Sequence, residues 1–271
     1  MAPPPKPTRR RVPWWLLAIV LLGVLTLWAL VSNEGYAEIF RALSGGIVTT
    51  IWVTIVAFVL ASILGLLVAM ARTSGVRVLE EVATFYTEIV RGIPVLVVLF
   101  YIAFVGAPVL VDAANFVLSP LIAPGWIGPL SIRSLDFTWR AIIALMVCYS
   151  SFLAEVFRAG IEAVPRGQVE AAYALGLSRR LSFRLVVAPQ ALRTILPPLG
   201  NDFVSMIKDS ALVSALGVQD ITQLGKVYSS GTFKFFETYN VVAFLYLVMT
   251  ITLSLLVRLL EYRLSRGRGK S

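Results

Sequence analysis

The stretch from Glu155 to Pro198 reads EVFRAGIEAVPRGQVEAAYALGLSRRLSFRLVVAPQALRTILPP. Strongly apolar sequence lies on both sides of it, whereas this stretch is polar and basic. Between Arg158 and Arg193 it holds six arginines and only two glutamates. A loop with surplus arginine between two membrane spans belongs on the cytoplasmic face. The sequence therefore predicts a membrane protein with a basic cytoplasmic loop at its centre.

The middle of this loop has the pattern of a hairpin of two short helices. Residues 166–175 are good helix formers, and Gly176 suits the position after a helix end, where φ is positive. Ser178 can cap a second helix that runs to about Val187. Because the residue before a proline is restricted, we expect Pro189 to stop that second helix.

The hairpin resembles the EAA signature of the membrane subunits of bacterial ABC importers. Glu170, Ala171 and Ala172 are followed by three residues and then Gly176. The family pattern continues with nine residues and I-x-L-P, and here Val186–Pro189 stand in that register. The resemblance implies that the hairpin is a coupling helix that docks in a groove of an ATP-hydrolysing subunit. The residues implied in coupling are Gln168, Glu170, Ala171, Ala172, Gly176 and Pro189.

The composition agrees with an all-α integral membrane protein. The chain has 271 residues, of which 58% are hydrophobic, and a mean hydropathy of +0.84. The net charge is +9, but the arginines cluster at the termini and in one loop, which indicates membrane orientation and anionic lipid rather than nucleic acid. The single cysteine, Cys148, excludes an intrachain disulfide and reads as a structural thiol.

The sequence offers no basis for chemistry of its own. It contains no histidine, which removes the commonest metal ligand and general base. It also contains no G-x-x-x-x-G-K-[ST] motif to hold nucleotide phosphates. We therefore expect no metal, no cofactor and no enzymatic activity in this chain. Any energy for transport must come from a partner ATPase or an ion gradient.

Apolar runs predict six transmembrane helices with both termini in the cytoplasm. The predicted spans are residues 14–31, 46–71, 93–111, 139–154, 192–217 and 241–257. Basic tails at 1–13 and 261–271 anchor the ends inside, a transmembrane domain covers 46–260, and its coupling loop covers about 163–191. Residues 14–31 could instead be a signal peptide. The apolar run here is longer than the ~7–15 residues that are usual in a signal peptide. Residues 78–91 are amphipathic and 113–136 read as an external loop.

The second and fourth spans carry two further patterns. Ala57, Ala61, Gly65 and Ala69 recur every four residues, which suits close helix packing or arises by chance in an alanine-rich helix. Glu155 and Arg158 are i,i+3 neighbours and can pair. A structural pair at the inner membrane edge and a contact with solute are both open for them.

The fifth span is the least regular. Prolines and ionisable groups at membrane depth predict a discontinuous helix that lines a path for a polar solute. The candidate path residues are Asn201, Asp202, Ser205, Lys208 and Asp209. Asn201, Ser205 and Lys208 share one helical face, and the two aspartates share an adjoining one. Interhelical bonds or gating are the alternative roles for these groups.

Further motifs resemble the polar amino acid permeases within the importer class. These motifs are Arg91–Pro94, Glu155–Arg158, Val164–Gln168, Asn201–Phe203 and Lys208–Ser214. The resemblance implies the bundle of a type I ABC importer permease in the bacterial inner membrane, moving polar amino acids. It implies as partners a second permease subunit, identical or homologous, a cytoplasmic ATPase dimer that binds ATP-Mg, and an external solute-binding protein. Members often have five spans, so the first helix here is an addition.

Two alternatives remain open. A permease of the same class can carry another small polar solute, such as an osmolyte or an opine. An ion-coupled secondary transporter would work without an ATPase, and inverted repeats would favour it, but none is evident.

Overall fold

The fold is known from a computed structural model, which describes residues 14–265. Every regular element in that range is a helix, so the all-α prediction is confirmed. The predicted tail at 1–13 and the last residues of the tail at 261–271 lie outside the described residues. The part of that tail up to Ser265 continues the final helix.

The α-helices follow one another along the chain with short connections. They are α1 (Trp14–Ser32), α2 (Glu34–Arg72), α3 (Arg77–Gly92), α4 (Val95–Tyr101), α5 (Ala107–Ile122), α6 (Phe137–Glu162), α7 (Arg166–Ala174), α8 (Arg179–Ser182), α9 (Ala188–Asp209), α10 (Ile221–Thr232) and α11 (Phe235–Ser265). Two π-helical turns, Ile102–Gly106 and Phe183–Val187, join α4 to α5 and α8 to α9. Short 3₁₀ helices cover Ile132–Ser134 and Ser210–Leu216.

Four helices of the described range are long and apolar enough to cross a membrane. They are Glu34–Arg72, Val95–Ile122, Phe137–Glu162 and Phe235–Tyr262. Leu17–Ser32 is apolar but shorter, and α9 is not among the four. The predicted membrane bundle is therefore confirmed, while the count of six spans is not matched by length and composition.

Helix α2 is the longest element and packs along α6. Asn33 caps its start by accepting a hydrogen bond from the Gly35 amide at 2.9 Å, so α2 begins before the predicted boundary at 46. All four members of the predicted small-residue face are buried, as is the facing Leu153 on α6. Small residues let two helix backbones approach closely. The periodic pattern therefore marks the α2–α6 contact.

The third span is longer than predicted, because its helix continues to Ile122 instead of ending at 111. A π turn at Ile102–Gly106 precedes Ala107 and Pro108. Proline lacks an N–H and its ring clashes with the carbonyl four residues earlier in an ordinary α-helix. The wider π turn changes that spacing, so the chain passes Pro108 as a continuous helix.

Two predictions about prolines in the second half of the chain are wrong. A π turn at Phe183–Val187 precedes Ala188 and Pro189, so Pro189 stands in the first turn of α9 and does not stop the helix. Helix α9 also continues through Pro197 and Pro198, so the predicted discontinuous span is wrong. The regular α-helix ends only at Ser210.

The predicted external connection after residue 218 contains helix α10, fixed by a buried polar network. Asp220 caps α10 by accepting from the Gln223 amide at 2.8 Å, and it also accepts from the Tyr246 hydroxyl at 3.1 Å. The Ile221 amide donates to Thr50 Oγ1 at 3.4 Å. Burial raises the pKa of Asp220, and the hydrogen bonds that Asp220 accepts from Gln223 and Tyr246 oppose that rise. The network ties α2, α10 and α11 together at one end of the bundle.

Candidate functional site

The EAA hairpin is closed by a tight glycine turn. Gly176 has a φ of +81°, as the sequence predicted. The Leu177 amide donates to the Ala172 carbonyl at 3.1 Å, and the Gly176 amide donates to the Tyr173 carbonyl at 2.9 Å. These two bonds form a Schellman motif, which satisfies the last carbonyls of a helix. The turn therefore fixes the angle between the two arms of the hairpin.

The second arm of the hairpin leads directly into helix α9. Ser178 caps α8 by accepting from the Leu181 amide at 3.4 Å, as predicted. The α8 helix, the π turn and α9 then follow without a break between Arg179 and Asp209. Any force on the hairpin is therefore applied to α9 through continuous helix.

The inner face of the hairpin packs on its own chain. Ala172 is only 3% exposed, whereas the sequence predicted that it fits closely against a partner groove. Val187 on the π turn belongs to a buried cluster with Val164, Ala191 and Ile195, which joins the end of α6 to the start of α9. Ala172 therefore serves packing within this chain, and a partner has to contact other hairpin residues.

Gln168 is also held by its own chain. The Gln190 amide nitrogen donates to Gln168 Oε1 at 2.6 Å and to the Val186 carbonyl at 2.9 Å. The bond connects α7 to α9 across the hairpin. Glu170, Ala171, Gly176 and Pro189 are exposed. Four of the six predicted coupling residues are therefore at the surface, whereas Ala172 is buried and Gln168 is bonded to Gln190.

The outer face of the hairpin exposes apolar side chains beside arginines. Leu175 is 82% exposed, and four further large apolar side chains of the hairpin are exposed with it, namely Tyr173, Leu181, Phe183 and Leu185. Arg179, Arg180 and Arg184 lie among them and are exposed. We call these eight residues the hairpin surface. Several exposed large apolar side chains within one short segment favour an interaction site.

An ion cluster stands where α6 approaches the hairpin. Arg72 Nη1 donates to Glu155 Oε2 at 2.6 Å, Arg158 pairs with Glu155, and Arg158 Nη1 donates to Glu162 Oε2 at 2.7 Å. The predicted Glu155–Arg158 pair is therefore confirmed. Sequence reasoning missed Arg72, although its place at the end of a long apolar run was a signal. The cluster fastens the end of α2 to the end of α6.

A polar cleft of about 370 Å³ lies between α3, α6 and α9. Its lining includes Arg91, Phe152, Glu155, Thr194 and Asp202. The Arg91 guanidinium lies over the Phe152 ring, 5.7 Å from its centre, in a cation–π contact. Within residues 14–265, neither Arg91 nor Asp202 has an ion-pair partner. The cleft therefore presents one positive and one negative group that are not neutralised by each other or by a neighbour.

The five predicted path residues are not brought into one place. Asp202 lines the cleft, whereas Asp209 accepts a hydrogen bond from the Tyr149 hydroxyl at 2.7 Å. Asn201 and Lys208 are exposed and Ser205 is half-buried, and the helical spacing places these three on one face of α9. Arg91 and Phe152 were not among the predicted site residues. The position of Arg91 at the end of an amphipathic helix was the available signal.

The apolar spans define this chain as a multi-pass membrane protein. It belongs to the family described as the binding-protein-dependent transport system inner membrane component, whose model matches residues 61–269. That match covers the hairpin, the ion cluster and every residue that lines the cleft.

Named relatives extend the match over most of the chain. The glutamine transport system permease protein GlnP of Escherichia coli (strain K12) is 34% identical over 79% of this chain and 89% of its own length. The L-cystine transport system permease protein TcyB of Bacillus subtilis (strain 168) is 34% identical over 94% of this chain and 98% of its own length. A crystal structure of an amino acid ABC transporter with histidines superposes with a TM-score of 0.71 at 33% identity, covering 85% and 97% of the two chains.

Proposed function

We propose that this chain is the membrane-spanning permease subunit of an ATP-driven importer that moves polar amino acids into the cytoplasm. The observation that carries the proposal is the hairpin surface, an exposed apolar and arginine-rich patch on a hairpin rigidly joined to two membrane helices. Relatives named for glutamine and L-cystine transport support the substrate class. The class fits a chain that lacks a nucleotide-binding motif.

The energy for transport comes from a separate subunit. A cytoplasmic ATPase dimer binds ATP-Mg and receives the hairpin surface of each of two permease subunits, which are identical or homologous. An external solute-binding protein delivers the amino acid. Basic residues around the hairpin favour the cytoplasmic side, and this supports an arrangement with both termini inside and the α1–α2 connection outside.

The packing suggests how the hairpin moves the membrane helices. The cluster of Val164, Val187, Ala191 and Ile195 holds the hairpin against both α6 and α9. The Gln168–Gln190 bond adds a polar contact between α7 and α9. When the two ATPase subunits close, the hairpin shifts with them, and α6 and α9 follow because close-packed contacts transmit displacement.

The cleft between α3, α6 and α9 is a suitable part of the solute path. A polar amino acid is a zwitterion, and the cleft offers Arg91 for its carboxylate and Asp202 for its ammonium group. Glu155 is less available, because Arg72 and Arg158 already engage its oxygens. Movement of α9 relative to α3 changes the distance between Arg91 and Asp202, so binding in the cleft depends on the state of the hairpin.

The test is reconstitution of the chain with its ATPase and binding protein in vesicles, followed by uptake of labelled glutamine and cystine with and without ATP. We expect ATP-dependent uptake that is lost with Leu175→Asp, since an acidic group at the centre of the hairpin surface prevents docking. Val76→Asp is the matched control, because it changes an exposed apolar residue to aspartate in the α2–α3 connection.

The outcomes separate the proposal from its alternatives. Uptake of the unmodified chain without any ATPase would show an ion-coupled transporter. ATP-dependent uptake of an osmolyte or an opine, without amino acid uptake, would keep the class and change the substrate. Equal ATPase co-purification by the Leu175→Asp and Val76→Asp variants would contradict the docking role of the hairpin surface.

A further inference from the structure

An apolar groove of about 730 Å³ lies on the side of the bundle formed by the first and last helices. We call it the terminal groove. Its lining residues are Leu27, Leu30, Ala37, Phe40, Arg41, Ile47, Phe244, Leu245, Val248 and Met249. They come from α1, α2 and α11. The volume lies within the range of about 300–1,000 Å³ that is usual for ligand sites, and α1 forms one wall of it.

Arg41 is the only charged residue in that lining. Its Nε donates to the Ala37 carbonyl of its own helix at 3.3 Å, and its side chain is exposed. Glu38 is one turn away, yet within residues 14–265 no carboxylate lies within ion-pairing distance of Arg41. The terminal guanidinium nitrogens can therefore bind an anion from outside the chain.

The position of Arg41 along α2 sets its depth in the membrane. No charged residue follows it until Arg72, so residues 42–71 form an uncharged run. At 1.5 Å per residue this run is about 45 Å long, about the thickness of the bilayer with its headgroups, so Arg41 lies at headgroup level on the side of the α1–α2 connection. Trp28 on α1 is 68% exposed and Phe236 on α11 is 76% exposed. Exposed tryptophan is typical of the membrane interface, and Phe236 stands at the same end of the bundle as Trp28.

We propose that the terminal groove binds one anionic phospholipid, with the phosphate on Arg41 and an acyl chain along the apolar lining. A phospholipid carries its phosphate directly beside its acyl chains, which matches a cation placed at the mouth of an apolar groove. A second protein helix packed here would be apolar and would offer no anion to the guanidinium, whereas a phospholipid supplies both parts of the match. The first helix thereby acquires a function, because it closes the groove.

The experiment is native mass spectrometry of the full-length chain in detergent, titrated with dioleoylphosphatidylglycerol or dioleoylphosphatidylcholine. We expect one phosphatidylglycerol per chain to be retained in preference to phosphatidylcholine. Arg41→Gln should weaken phosphatidylglycerol binding about fivefold, the effect of one basic residue at a membrane surface. Arg133→Gln, which removes the same charge from an exposed 3₁₀ turn, should leave the binding unchanged.

A second variant separates the groove from the charge. Ala37→Trp fills the lining while Arg41 remains, and it should abolish the preference for phosphatidylglycerol, whereas Arg41→Lys should retain most of it. A thermal melt of each variant checks that it is folded. Equal retention of both lipids by the unmodified chain, or no change with Arg41→Gln, would overturn the proposal. Cross-linking of Leu27→Cys to Met249→Cys between two copies would show instead that the groove is a subunit interface.

Discussion

Glycine serves different purposes in helix α2 and in the hairpin. In α2, Gly46 is buried and lies so close to its neighbours that an added Cβ would stand 2.6 Å from the Ile221 nitrogen. In the hairpin, Gly176 has nothing within 4 Å of such a Cβ, but its φ of +81° excludes most side chains. One region needs the missing volume, whereas the other needs the backbone conformation.

The largest effect is expected where volume is limiting. Gly46→Val should destabilise the chain by about 3 kcal/mol, because the new atoms collide with backbone that cannot move away. Gly45→Val is the matched control, since a Cβ on Gly45 meets nothing within 4 Å. The measurement is thermal unfolding of the purified chain in detergent. Equal melting temperatures for the two variants would show that missing volume at Gly46 is not what α2 requires.

The two neighbouring alanines of the EAA motif sharpen the comparison within the hairpin. Ala172→Trp should destabilise the hairpin by about 2 kcal/mol through overpacking, even when no ATPase is present. Ala171→Trp should leave the purified chain as stable as before, because Ala171 is exposed, and should reduce ATPase co-purification. Limited proteolysis of the hairpin measures the first effect. The reverse assignment of the two phenotypes would mean that Ala172 faces the partner.

The conformational role of Gly176 predicts a smaller and more local effect. Gly176→Val should strain the turn by about 1–2 kcal/mol, the cost of a left-handed conformation, and lower ATP-dependent uptake without altering the melting temperature of the membrane bundle. Gly176→Asn should retain most of the uptake, since asparagine tolerates this region. If valine and asparagine behave alike in the uptake assay, the positive φ is not what the site requires.

The smallest effect concerns the polar cleft. Asp202→Asn should raise the KM for amino acid uptake about fivefold, corresponding to the loss of about 1 kcal/mol from one charged contact. ATPase co-purification should be unchanged, because Asp202 is remote from the hairpin surface. Glu81→Gln, at an exposed position of α3, is the control. An unchanged KM in the Asp202 variant would exclude the cleft from the solute path.

The hairpin was predictable because its determinants are local. The spacing from Glu170 to Gly176, the positive φ at Gly176 and the cap at Ser178 all follow from residues within one or two helical turns. The spacing of small residues also identified the buried face of α2. These features follow from helix geometry and capping rules, which can be applied directly to the sequence.

Proline rules failed at two places. Pro189 comes two residues after a π turn, which a rule that treats proline as a stop does not include, and Pro197 and Pro198 lie inside the continuous helix α9. The cleft could not be predicted from the sequence, for another reason. Arg91 and Asp202 lie on different helices more than a hundred positions apart, and only the packing of α3, α6 and α9 brings them to one opening.

The unbroken helical path between Arg179 and Asp209 acts as a lever. It spans about 45 Å at 1.5 Å per residue. Its joints are at the ends, where the Gly176 turn and the left-handed Gly217 allow the backbone to change direction. In the proposed importer, a tilt of this arm by a few degrees at the hairpin end would therefore displace the far end of α9 by several ångströms, which is how a small movement of the ATPase would reach the membrane helices.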